Sequence, residues 1–202
     1  PFLMGIQKEE LDLFPTPVSL YDLSHLDMGI ISEVIENTSK EEFYLVDGGK
    51  TDFNSGCDIL DNPNLINLRT SIEDCLNDYS IRLGVDNIVI KNSWSSITEI
   101  GGRLELHRHE ACVVSGVFYP KMNEPVSPLI LKSPISQNQM FEIYNPESNV
   151  QNTHHYNTIF PQSGMLVLFP SWLEHKTEVE IGRRIIISFN GVYHWVANRF
   201  NK

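Results

Sequence analysis

The chain has 202 residues, 41% of them hydrophobic and 20% charged, the ordinary make-up of one globular domain that can bury its own core. Fifteen Lys and Arg stand against 26 Asp and Glu, a formal charge of −11 that disfavours nucleic-acid backbones and anionic membranes as partners. No apolar run approaches the roughly 20 residues that span a bilayer, and three cysteines without a CxxC pair argue against a disulfide framework or a zinc ribbon. A reducing, cytoplasmic setting is therefore expected, with Cys112 a buried thiol in an apolar run.

In chain order, the stretch from Leu13 to Val18 carries two prolines and reads as an extended lead-in. Residues 24–39 place Leu26, Ile30, Ile31, Val34 and Ile35 at rough helical spacing, and Asp47-Gly48-Gly49 and Asn54-Ser55-Gly56 read as turns. Over 63–83, the series Leu65, Leu68, Ile72, Leu76, Tyr79 predicts an amphipathic helix with Pro63 in its first turn and Gly84 as its stop. After residue 86 the character changes to short β-branched and aromatic runs at 88–90, 95–100, 103–106, 112–119, 129–131, 165–169, 176–179 and 184–190. Turn signals at Gly101-Gly102, Pro120, Pro134, Gly164 and Gly182 separate them, the signature of a sandwich or barrel. The polar segment 136–158 reads as a long insertion between strands. The expectation is a single domain, 1–202, mainly β, in which N-terminal helices (1–86) pack on a β core (87–202).

Chemistry concentrates in a few residues. His107 and His109 lie two apart, so on a strand they share a face. With His175 on a neighbouring strand, three imidazoles could meet at one metal and leave coordination positions open. Arg184, nine residues beyond His175, could anchor an acidic cosubstrate, because a guanidinium stays charged and grips a carboxylate with two parallel hydrogen bonds. Ser188, four further on, shares its strand face and could add a hydrogen bond, whereas Arg183 faces the other way, toward solvent. Trp94, Phe118, Trp172 and Phe189 are expected in the core. His25, His154, His155 and His194 are expected to be solvated or structural.

Three blocks carry a family resemblance: Gly102 to His107-x-His109 and Ser115-Gly116-Val117-Phe118-Tyr119; Gly164 through Phe169-Pro170-Ser171-Trp172-Leu173-Glu174-His175; and Arg184 to Asn190. Together with Leu13-Phe14-Pro15-Thr16-Pro17, they resemble the 2-oxoglutarate/Fe(II) oxygenases of marine bacteria and phages, close to the prolyl 4-hydroxylase branch. The resemblance implies a double-stranded β-helix (jelly roll, cupin-like) core. It also implies Fe(II), 2-oxoglutarate as cosubstrate, O2, and hydroxylation of a peptidyl residue or small molecule. By the same resemblance, His107 takes the place of the first His of the HxD/E motif and His175 that of the distal His. Arg184 then matches the base that pairs the distal carboxylate of 2-oxoglutarate, and Tyr119 the aromatic position whose hydroxyl shares it. Position 109 departs from the pattern, with His109 where a carboxylate is usual. Either His109 completes a three-His site, or Glu110 reaches the metal through a bulge. Two other classes stay open: a cupin-type metal enzyme that does not use 2-oxoglutarate, and a catalytically silent jelly-roll module.

Overall fold

The computed structural model describes residues 15–56, 58–120, 122, 125–135 and 155–200. Leu13, Phe14, Cys57, His154 and most of the 136–158 insertion lie outside these. Strand β1 (Ser19–Asp22) follows the proline-bearing lead-in and precedes helix α1 (Met28–Asn37). Asp27 caps α1, its side chain accepting from the Gly29 and Ile30 amides, and the helix buries Ile31, Val34 and Ile35. Helix α2 (Ile66–Leu83) runs on from a 3-10 turn at Pro63–Leu65 and stops at Gly84, whose φ of 65° is left-handed, as the periodicity predicts. Its apolar stripe, Leu68, Ile72, Leu76 and Tyr79, packs with α1 against one face of a large sheet.

Among the described residues, that sheet holds seven antiparallel strands. In chain order they include β2 (Glu41–Phe43), β3 (Val46–Thr51), β4 (Ile88–Leu104), β5 (Val114–Phe118), β8 (Met165–Pro170) and β10 (Arg184–Tyr193), and the sheet order is β1-β8-β5-β10-β4-β3-β2. A smaller sheet, β7-β6-β9, is made from β6 (Leu129–Lys132), β7 (Tyr156–Ile159) and β9 (His175–Thr177). A short helix α3 (His194–Phe200) follows β10. Val117, Tyr119, Leu129, Leu131, Val167, Phe169, Leu173 and Ile186 fill the space between the two sheets, and the sandwich they hold together is a jelly roll.

Several boundaries differ from the sequence reading. Asp47-Gly48-Gly49 lies inside β3, and the strands expected at 88–90, 95–100 and 103–106 are the single 17-residue β4. The physical reason lies in the glycines. Gly48 (φ 66°) and Gly101 (φ 87°) adopt left-handed conformations at a register shift between β3 and β4. A side chain on Gly102 would strike the Asp47 carbonyl. These glycines serve a bulge where two backbones approach closely, and no chain reversal occurs there. Cys112 is half-exposed in the loop before β5, which begins two residues later than expected, at Val114. Trp172 is 51% exposed and so lies outside the core, whereas Phe118 and Phe189 are fully buried as expected.

Candidate metal centre and carboxylate pocket

His107 and His109 do not sit on a regular strand. The chain leaves β4 at Leu104, and His107 then makes one isolated antiparallel bridge to His175 at the start of β9. Two reciprocal backbone hydrogen bonds, His107 N to His175 O (3.0 Å) and His175 N to His107 O (2.9 Å), put those two side chains on one face. The His109 amide donates to the Ser171 carbonyl at 2.9 Å, and Ala111 turns the loop back toward β5 with φ 56°. Backbone pairing to the segment 171–175, rather than strand alternation, therefore aims both histidines inward.

Each imidazole has its Nδ1 committed. His107 Nδ1 donates to the Glu105 carbonyl (2.8 Å), His175 Nδ1 to the Leu173 carbonyl (2.9 Å) and His109 Nδ1 to Asn190 Oδ1 (2.6 Å). Asn190 is itself oriented, because its Nδ2 donates to Asn92 Oδ1 at 3.1 Å. With a proton on each Nδ1, each Nε2 presents a lone pair, the tautomer a metal needs. His107 Nε2 and His109 Nε2 are 3.2 Å apart, and one ligand atom from each of the three residues lies within 4.8 Å of the others. Two Nε2 lone pairs at that distance cannot hydrogen-bond each other. Metal–imidazole bonds of about 2.1 Å at right angles separate two nitrogens by about 3 Å, so a shared cation suits this spacing. Burial lowers the pKa of all three: His107 falls to about 4, and His175 lies well below the usual imidazole range, depressed further by its two neighbours. The set is held neutral, as metal coordination requires.

The three rings border a cavity of about 270 Å³ whose inner lining includes Thr98, Tyr119, Thr177, Arg184 and Ser188. Arg184 opens β10 and is only 2% exposed. Its Nη1 lies 2.6 Å from Glu180 Oε1, its Nη2 reaches Thr98 Oγ1 at 3.5 Å, and its Nε has no hydrogen-bond partner among the described residues. Nε and Nη2 form one edge of the guanidinium fork, so the edge best shaped for a carboxylate is the under-used one. Tyr119, just past β5, is buried on the same lining, and burial pushes its phenol up to about 12. Ser188 shares the face of Arg184 through strand alternation. Arg183 faces outward and pairs with Glu36 and Glu99. Glu110 is exposed at the cavity mouth beside Arg108 and stands apart from the imidazole group. Trp94 leaves the core to line the cavity, with its ring 5.6 Å from that of His109. His25 and His194 lie at the surface.

Two residues of the site escaped the sequence reading. Asn190 lies on the Arg184 and Ser188 face by strand alternation, a signal already contained in the run 184–190. Glu180 lies in irregular backbone between β9 and β10, where no periodicity marks it.

The two-sheet jelly roll thus gathers three inward imidazoles and a buried arginine around one cavity. Residues 92–190, from β4 to β10, match the family described as Putative 2OG-Fe(II) oxygenase. No curated protein matches the sequence. Among solved structures, a Pseudomonas putida prolyl-4-hydroxylase aligns at TM-score 0.59 and 11% identity, covering 91% of this chain and 96% of that one. A Trichoplax adhaerens prolyl hydroxylase, in complex with a hypoxia inducible factor peptide fragment, aligns at 0.61 and 14%, covering 92% and 87%. HygX from Streptomyces hygroscopicus, with nickel, 2-oxoglutarate and hygromycin B bound, aligns at 0.60 and 12%, covering 89% and 84%. At these identities the likenesses establish the shared fold.

Proposed function

We propose that this protein is an Fe(II)- and 2-oxoglutarate-dependent dioxygenase that hydroxylates a peptidyl residue or a small molecule, with His107, His109 and His175 as its metal ligands. The observation that carries the reading is the convergence of three Nε2 atoms, each with its Nδ1 already committed, on a cavity that also holds the unfilled fork of Arg184. Bound iron supplies oxidising chemistry with O2 and the keto acid. The chain's own residues do the positioning. Arg184 takes the distal carboxylate of 2-oxoglutarate, Tyr119 and Ser188 offer hydroxyls beside it, and the layer of Val117, Leu129 and Ile186 keeps water from the inner end of the cavity. At the mouth, Phe43, Tyr44, Phe53 and Trp94 form an aromatic rim beside Arg108 and Glu110. Free thiols at Cys75 and Cys112 fit a reducing, cytoplasmic compartment, and no helix among the described residues is long and apolar enough to cross a membrane.

Anaerobic Fe(II) plus 2-oxoglutarate should produce a visible charge-transfer band that Arg184→Ala weakens; no band at saturating reagents sinks the reading. The all-imidazole ligand set is the observation that favours the cupin-type alternative. Stoichiometric metal combined with indifference to 2-oxoglutarate would select it.

A further inference from the structure

We infer that Glu180 makes anchoring of the acidic cosubstrate proton-coupled: the distal carboxylate of 2-oxoglutarate enters the Arg184 pocket together with one proton from solvent, which Glu180 takes up. The inference rests on the proposed cosubstrate reading. Its basis is a charge count. The pocket already holds one buried cation, Arg184, and one buried anion, Glu180, whose side chains are 2% and 0% exposed and 2.6 Å apart. Within contact of Arg184 a second carboxylate would set two anions against one buried cation, which burial penalises locally even where the metal's charge balances the cavity as a whole.

Glu180 cannot relieve this by moving away. Its Oε2 accepts from the Ser127 amide at 2.9 Å. Its backbone is pinned to β4 on both sides, Glu180 N to Gly102 O at 2.7 Å and Gly101 N to Glu180 O at 2.9 Å. Protonation is the remaining route, and the hydrogen bonding favours it. Although Oε1 lies close to Arg184, it receives no aligned hydrogen bond among the described residues. A proton there converts an acceptor that repels the incoming carboxylate into a donor that can bind it. The bound state then pairs one guanidinium with one carboxylate, and Arg184 Nε gains the partner it lacks.

The groups acting on Glu180 come from three sides. Arg184 on β10 lowers its pKa, and the Ser127 amide ahead of β6 does so as well, but burial outweighs both and raises it above the usual carboxylate range. Tyr119 feels the Glu180 charge and, at about 12, stays protonated throughout neutral pH. Protonation of the metal-binding imidazoles would weaken cosubstrate binding toward acid, the opposite direction from the effect of Glu180.

The test is calorimetric titration of 2-oxoglutarate into the full chain reconstituted anaerobically with Fe(II), in buffers of different ionisation enthalpy. The series runs from about pH 6.5 to about pH 8.5, and within it the wild type should take up close to one proton per ligand, with Kd weakening by up to about tenfold per pH unit. Glu180→Gln keeps the Ser127 contact and removes the charge; its binding should release and take up no proton and stay flat with pH. At the alkaline end the variant should bind about tenfold or more tighter than wild type. Binding by the wild type without proton uptake, or an unchanged pH slope in Glu180→Gln, overturns this inference and leaves the cosubstrate reading standing. Absence of 2-oxoglutarate binding at every pH overturns both. The wild-type proton count decides the matter even if the variant fails to fold.

Discussion

Asn190 links the strand framework to the imidazole cluster through one oxygen. Its Oδ1 receives His109 Nδ1–H and lies 3.3 Å from Ser115 Oγ, while its Nδ2 is fixed by Asn92. Partners of this kind fix the tautomer and orientation of a metal-binding imidazole, and their loss typically weakens metal affinity by about 10–100-fold. Asn190→Ala should therefore lower Fe(II) affinity within that range, read by competition with a chromogenic chelator. Unchanged affinity would show that packing against Trp94 alone orients His109. His175→Ala should fall much further, since it removes a ligand and breaks the convergence.

Among the elements, β5 is packed directly beneath an aromatic ring of its neighbouring strand. Gly116 on β5 lies opposite Phe189 on β10, and a methyl group at 116 would run into the Phe189 ring, which is fully buried and has no free space to enter. Gly116→Ala should destabilise by about 1–3 kcal/mol through overpacking, a fall of several degrees in melting temperature for a chain of this size. The same strand pair carries Asn190 opposite Ser115, so the variant should also reduce metal affinity. A melting temperature equal to wild type would mean that β5 can shift outward. At this scale the sequence was only partly legible. The stop of α2 at Gly84 and the strands β6, β8 and β10 follow directly from periodicity and turn chemistry. Strand β4 does not, because Gly101 and Gly102 read identically as a reversal or as a bulge until a partner strand is present.

For the molecule as a whole, three neutral imidazoles, His175 buried and His107 and His109 half-buried, make stability depend on pH. An unfolded His protonates near pH 6.5, whereas folded His107 does so only at about 4, and His109 and His175 are lowered as well. Below about pH 6.5 the unfolded chain thus binds protons that the fold excludes, and folding stability drops as pH falls. His107 alone accounts for on the order of 3 kcal/mol across that window. Asp52 and Glu180, raised by burial, act in the opposite sense at lower pH. In the presence of a chelator, the melting temperature should fall between about pH 7 and about pH 5; a flat or rising profile would contradict the burial of the cluster. The metal-loaded protein should show a steeper decline, because protons then also compete with the metal.

By itself, the sequence determined the residue types and their spacing: two histidines two apart, a third before an arginine, and an arginine and serine on one face of the last long strand. Those depend on local periodicity, which a single chain segment carries. Tertiary structure decided which atoms meet. His107 and His109 turn inward because their backbone pairs with the segment 171–175, more than sixty residues away in sequence, and not because they alternate on a strand. The Asn190 contact to His109 and the Glu180 contact to Arg184 likewise arise only when β10, the His107 loop and the β9–β10 connection are brought together. Local sequence rules cannot place them, because hydrogen bonding and charge balance in a buried site are set by neighbours that are close in space and distant in the chain.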